Sequence, residues 1–287
     1  MSQITYTSSV GETFDLMAFR LPRIMSANFH TFSWKPDTTA RQYGEKITRW
    51  RKEALTLTAS ILFAGKPDAR KKALNAFHAA IDGDFFRGEA GTLTWDGSYI
   101  KAFVQSSSTY PDDMANRTIN DIEIYCPYPF WVQEQRLEIE PVDDAEVRET
   151  DKQYTDDAYG YPYSYAVSSV MPKLVIDHYA DCDFRLEAFG VASDVAVTIG
   201  GHTYSVDHSV SDGEKLVIDS RQDLPADRHC YLVGTDGSIT NCFDDRDPES
   251  YLLQKIKPGA NTISYTRAYK IILTIYKERS EPAWTTS

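Results

Sequence analysis

Only one stretch of this chain carries a helical period, and that limits the fold to something built mainly from strands. Gly65-Lys66 leads into Pro67 and Asp68, and proline is preorganised for a first helical turn. Ala73, Leu74, Phe77, Ala80 and Ile81 then recur at helical spacing, while Lys71, Lys72 and Asn75 fall on other faces. Gly83 is the expected stop. This helix should lie across the sheet of a first domain.

Around it the pattern alternates with period two. Short strands are expected in the segment up to about Leu21. Asn28–Trp34 and Ala54–Phe63 read as further strands, the first half-buried. Thr92–Trp95 and Ser98–Phe103 flank Asp96-Gly97, a pair suited to a type I′ turn because both central residues need positive φ. Ile119–Cys126 alternates again and stops at Pro127-Tyr128-Pro129-Phe130-Trp131, since proline cannot feed a central ladder.

Beyond this point the charge changes. The first 130 residues carry 15 Lys and Arg against 14 Asp and Glu; the rest carry 15 against 28. The excess makes up the net charge of -12 and argues against wrapping nucleic acid, because an acidic chain repels phosphate. Glu138–Asp157 holds nine acidic and two basic residues with little apolar periodicity, and Tyr159–Tyr165 is rich in tyrosine. Residues 132–171 therefore read as a linker or extended arm.

From Pro172 the pattern is all-β. Val195–Ile199 turns at Gly200-Gly201 into His202–Val206. Ser209-Val210 turns at Asp212-Gly213 into Lys215–Ile218. Cys230–Val233 turns near Asp236-Gly237 into Ile239–Phe243. Strands are also expected at Tyr251–Ile256, Asn261–Tyr265 and Tyr269–Tyr276. Short strands at this spacing without helix imply a β-sandwich.

Catalytic signatures are missing: no Walker loop, no Gly-x-Ser-x-Gly elbow, no His-Glu-x-x-His. The start of the chain lacks the basic and apolar runs of a signal peptide, and no stretch approaches the roughly 20 apolar residues of a membrane helix. Asp244, Asp245 and Asp247, beside Arg246 and Glu249, fit either a solvated turn or an acid/base or calcium site, though calcium loops need a fuller oxygen ladder. His202 and His208 flank Asp207, but an extended strand would hold them about 20 Å apart, too far for one metal. Cys230 and Cys242 would face opposite sides of the sheet if the turn between them had two residues, which favours reduced thiols; a longer turn would change that. Arg49, Arg51 and Lys52 surround Trp50, with Glu45 and Glu53 beside them, and read as a salt-bridged face rather than a nucleic-acid patch.

The order of several segments resembles the siphophage distal tail protein (Dit) family. They are Gly11–Leu16, the single helix, Asp121–Trp131, Asp183–Gly190, Asp212–Ser220, Asp236–Arg246, Ile256–Asn261 and the closing Glu278–Trp284. Nearly the whole chain apart from residues 132–158 is covered. Val191-Ala-Ser-Asp194 stands where many members carry Asn-Pro.

The resemblance implies a mainly β protein with one helix, divided into an N-terminal β-barrel-like ring domain (1–131), the 132–171 linker or arm, and a C-terminal galectin-like β-sandwich (172–287). It implies a homo-hexamer at the virion tail tip, assembled in the bacterial host cytoplasm. That ring would join the tail tube protein to the tail hub or fibre protein, with receptor-binding proteins as further partners and DNA passing through without specific binding. No catalytic, cofactor-binding or metal-ligating residue is assigned, and no cofactor or membrane is expected.

Two other readings compete. A carbohydrate-binding module would use exposed aromatics, but none of the tryptophans (34, 50, 95, 131, 284) lies between Pro172 and Ala283, leaving Tyr204, Tyr231 or Tyr251. A glycosidase would need two carboxylates across a cleft, with Asp244 or Asp247 as one of them. The Tyr128, Phe130 and Trp131 segment either contacts a neighbouring copy or caps its own domain's core.

Overall fold

A computed structural model describes residues 3–18, 22–112, 114–141, 172–266 and 268–284. The chain divides into two compact units, residues 1–133 with 278–287, and residues 134–277. The tyrosine-rich stretch and most of the acidic stretch lie outside the described residues. Among the described residues no helix is long and apolar enough to cross a membrane.

The first unit contains β1 (Ile4–Thr7), β2 (Thr13–Asp15), β3 (Arg23–Ala27), β4 (Lys35–Ala40), β5 (Glu45–Arg51), β6 (Leu55–Ala64), α1 (Pro67–Arg87), β7 (Gly91–Trp95), β8 (Ser98–Asp112) and β9 (Arg117–Cys126). Seven of these strands run in the order β3-β6-β9-β8-β7-β1-β2, all antiparallel where paired. The long β8 makes the curl. Its first residues pair with β7 and its later ones with β9, with a register shift between Val104 and Ser106 that lets the strand bend. At the far edge an isolated Met17–Arg23 bridge and a bond from Ile24 N–H to the Leu16 carbonyl join the end of β2 to β3. The sheet is thus barrel-like without a continuous closing ladder.

Alternation decides which face is dry. Leu57, Ile61, Phe63, Leu93, Ile100, Ile122 and Ile124 point inward and are buried. Helix α1 closes over them through Phe77 and Ile81, and the Phe77 ring meets Tyr6 and Phe14 edge-on at 6.1 and 5.3 Å. The helix runs past the expected stop at Gly83 to Arg87. Gly88 caps it in the left-handed region, its N–H reaching the Asp84 and Phe85 carbonyls. A glycine inside a helix costs only about 1 kcal/mol, and the anchoring of Asp84 overrides it.

Asn28–Trp34 is not a strand. Phe29 is fully buried and meets Trp95 edge-on at 5.7 Å, with Trp131 at 6.2 Å. His30 stacks on Trp284 at 3.8 Å. Aromatic packing, rather than ladder pairing, takes this segment off the sheet.

The second unit is a two-layer sandwich, the galectin-like arrangement expected. It includes the later part of β10 (Trp131–Ile139), then β11 (Lys173–Ile176), β12 (Asp183–Phe189), β13 (Val195–Ile199), β14 (His202–Val206), β15 (Lys215–Asp219), β16 (Cys230–Val233), β17 (Ile239–Asn241), β18 (Gly259–Ser264) and β19 (Lys270–Arg279). One sheet runs β17-β16-β15-β12-β19-β10 and the other β11-β18-β13-β14. Phe184, Leu186, Val197, Tyr204, Leu216, Ile218, Leu273 and Ile275 fill the space between them.

Three expectations change here. Residues 131–139, placed mostly in the linker for their charge, form β10, whose alternation of Leu137 and Ile139 with glutamates buries one side. Lys215–Asp219 pairs with β12 and β16 instead of forming a hairpin with Ser209-Val210; Val210 makes only an isolated bridge to Ala192. Tyr251–Ile256 is irregular, with Ile256 alone bridged to Cys182.

Candidate functional site

The acidic loop after β17 is the most chemically dense part of the second unit. The connection between β16 and β17 is five residues long, not two. Tyr231 pairs with Asn241 and Val233 with Ile239, so Cys230 stands opposite Cys242, whose N–H donates to the Cys230 carbonyl at 2.9 Å. Both cysteines are buried reduced thiols on the same face. Burial, with the neighbouring Cys242 and Asp245 adding to it, pushes the Cys230 thiol up to about 12. Burial also raises Cys242.

The carboxylates that follow diverge. Asp244 projects into solvent with Arg246 at 3.7 Å. Asp247 Oδ1 accepts the Glu249 N–H at 2.9 Å. Asp245 Oδ2 lies 2.8 Å from His208 Nδ1. Each serves a different partner, so the loop offers neither the oxygen ladder of a calcium site nor a facing carboxylate pair. His202 and His208 also part company: His202 Nε2 reaches the Tyr251 carbonyl at 3.0 Å. What sequence reasoning missed is the grouping of His208, Cys242 and Asp245, whose ligand atoms all lie within 4.8 Å of one another.

The first unit offers surfaces rather than chemistry. β4 and β5 form a separate two-stranded ribbon that, among the described residues, pairs with no other strand. Every residue of β5 is exposed, and Tyr43, Ile47 and Trp50 are 87, 47 and 54 % exposed. A lone hairpin is marginal in water, so such a ribbon needs something to lie against. Two of the three basic residues around Trp50, Arg51 and Lys52, are engaged. Arg51 pairs with Asp37 at 3.2 Å and Glu53 at 3.8 Å. Lys52 turns inward, donating to the Pro129 carbonyl at 2.7 Å, with its ammonium 4.2 Å from the Phe130 ring centre and 5.5 Å from that of Trp34.

The proline-aromatic segment caps its own unit. Trp131 is buried in the core, and Tyr128 Oη donates to Glu278 Oε1 at 2.5 Å. On the face of β3, β6, β8 and β9 away from the helix runs a groove lined by hydroxyls and carboxylates, among them Ser60, Ser106, Asp121 and Glu123, with no Lys or Arg.

No protein-family model matches the chain, and no curated protein does. Solved structures do match, over almost its full length. The crystal structure of the SPP1 Dit protein, described as a paradigm of hub adsorption apparatus in Gram-positive-infecting phages, aligns over 97% of this chain and 99% of its own, with a TM-score of 0.58 and 11% identity. The fold is that of a phage distal tail protein. Two structures of the phage P2 baseplate in its activated conformation agree. The one with Ca aligns over 98% of this chain and 100% of its own at a TM-score of 0.64, and the one with Sr at 0.65 with the same coverage, each at 10% identity. The distal tail protein fold therefore accounts for both units, including the β10 stretch that composition assigned to a linker. At these identities it is the backbone path that matches.

Proposed function

We propose that this protein is a structural component of a phage tail tip, in which six copies form a ring joining the tail tube to the tail hub or fibre. The full-length likeness to phage hub and baseplate proteins, running through both units, carries the reading. The first unit (residues 1–133 with 278–287) builds the ring, and the sandwich unit (134–277) holds receptor-binding proteins. DNA passes without being gripped, which suits the nearly balanced charge of the first 130 residues, 15 Lys and Arg against 14 Asp and Glu. The virion tail is the place of action, after assembly in the host cytoplasm. The exposed β4–β5 ribbon supplies contact area between copies: Ile47 and Trp50 are apolar, and aromatic anchors dominate such interfaces.

Light scattering with negative-stain imaging tests this. The expected result is a ring of six copies that the double variant Ile47→Asp, Trp50→Asp splits into monomers with unchanged thermal stability. A wild-type chain that stays monomeric up to its solubility limit overturns the self-assembled ring.

A second reading, carbohydrate attachment to the host surface, is favoured by one observation. Tyr204 is in the core, but Tyr251 is 68 % exposed at a groove shared with Gln222, His229, Gln254 and Lys255. A screen against host-wall glycans with Tyr251→Ala as control tests it: binding lost in the variant supports it, and no binding by the wild type removes it.

A further inference from the structure

We propose that His208, Cys242 and Asp245 form a zinc site that staples the loop after β14 to the end of the β16–β17 hairpin. The argument starts from local geometry. Cys242 follows β17 directly, and Phe243–Asp245 is a single 3-10 turn. With three residues per turn, side chains three apart stand on one side, so Cys242 and Asp245 face the same way.

His208 comes from a different part of the chain and is brought there by backbone pairing. Asp207 N–H donates to the Asp245 carbonyl at 2.8 Å, and Asp247 N–H to the Ser205 carbonyl at 3.1 Å. Val206 and Arg246 form a bridge between these two bonds. The segments bearing the three ligands are thus clamped on both sides before any metal arrives.

The side chains match zinc in kind. One imidazole, one thiol and one carboxylate make the mixed nitrogen, sulfur and oxygen set that zinc accepts, whereas calcium takes six to eight oxygens. Zinc bonds of about 2.0–2.3 Å in a tetrahedron put ligand atoms roughly 3.3–3.8 Å apart. A set already within 4.8 Å needs only small side-chain shifts, with the His208–Asp245 contact exchanged for two metal bonds.

Cys242 Sγ has a weak partner to give up, the Thr240 carbonyl at 3.5 Å. Its proton leaves to solvent when the metal binds. His208 and Asp245 are part-exposed, which gives a way in and leaves the fourth position to water. Arg246 does not block it: its guanidinium lies over the Phe243 ring at 4.3 Å and donates to the Phe243 carbonyl.

Cobalt(II) is the probe, because a cobalt–thiolate bond gives a near-ultraviolet charge-transfer band. The full chain titrated with Co2+ should show this band saturating at one ion per chain, and Zn2+ should bleach it. Cys242→Ser and His208→Gln should each lose the band while keeping the wild-type circular dichroism spectrum. Asp244→Asn, next door but pointing to solvent, should keep it. Zn2+ should also raise the melting temperature of the wild type and of Asp244→Asn alone. Absence of a thiolate band in the wild type overturns the proposal. So does a band that survives in Cys242→Ser, or a thermal shift shared equally by all variants. Should Cys242→Ser fold poorly, His208→Gln decides: loss of the band there supports the site, and an undiminished band overturns it.

Discussion

Tyr6 Oη donates to Asp84 Oδ2 at 2.5 Å, tying β1 to the last turn of α1 inside the first unit. The other carboxylate oxygen accepts the Ser9 N–H at 2.8 Å and Arg87 Nη2 at 3.1 Å. Burial works to raise the Asp84 carboxyl, but the bonds from Tyr6, Ser9 and Arg87 outweigh it and hold it below its ordinary value. Burial and the Asp84 bond push Tyr6 upward. Asp84→Asn should cost about 2–3 kcal/mol, because bonds to a charged group are the strong ones. Tyr6→Phe should cost about the same, and the double variant less than the sum of the two in urea unfolding. With its carboxyl depressed in the fold, Asp84 contributes stability that is present above the unfolded value of about 4 and fades as pH falls through the folded value. The Asp84→Asn variant should therefore show a flatter acid limb than the wild type.

Gly91 is where this network needs a missing side chain. A Cβ there would sit 2.4 Å from Tyr6 Oη and 2.9 Å from Asp84 Oδ2. Neither atom is free to move away while both hold their bonds. Gly91→Ala should destabilise by about 1–3 kcal/mol, the usual range for overpacking, read as a lower urea midpoint at unchanged slope.

In the second unit, Asp183 is a buried carboxylate with two partners: Lys255 Nζ at 2.7 Å and Ser220 Oγ at 2.9 Å. Lys255→Met leaves its charge without a counterion and should cost about 3 kcal/mol. Ser220→Ala should cost about 1–2 kcal/mol. Replacing Lys270, which pairs with the exposed Glu138 and Glu140, by alanine should change stability least of the three. Thermal melts of the three variants would rank them.

Alkaline pH should unfold the protein early. Burial pushes Cys126 and Cys230 up to about 12, and Tyr269 and Tyr276 likewise to about 12. Their unfolded counterparts ionise at about 8.5 for thiols and 10 for tyrosines. The stability they represent is complete below those values and is lost as pH climbs toward the folded ones. Lys52 acts the other way. Burial lowers it to about 8, against the Glu278 carboxylate, so stability rises with pH between about 8 and its unfolded value near 10.4. Four groups against one half-buried lysine give a net fall, and the melting temperature should drop steadily from about pH 9 upward.

Local chemistry was legible in the sequence wherever one or two residues dictate a backbone shape. Asp96-Gly97 and Gly200-Gly201 have the positive φ that their hairpins require, and both turns stand where they were expected. The helical period from Pro67 onward and the inward alternation of β6 and β9 were equally plain, because burial on one face repeats with the geometry of the element. The β4–β5 ribbon gave no such signal: against the described residues its strands are exposed apart from the half-buried Asp37, so no apolar rhythm marks it.

Tertiary structure decided the rest. Whether Asn28–Trp34 joins a ladder depends on where Trp95, Trp131 and Trp284 end up, and the aromatic cluster outcompetes the pairing. Whether Cys242 faces Cys230 depends on three extra residues in one turn, since a single step of register sends a side chain to the other face. His208, far from Asp245 in sequence, reaches it only through the backbone bonds that clamp their segments together. Alternation and turn residues act over a few positions and are written in the chain; which distant side chains meet is set by how the sheets curl and register, and only the folded protein carries that.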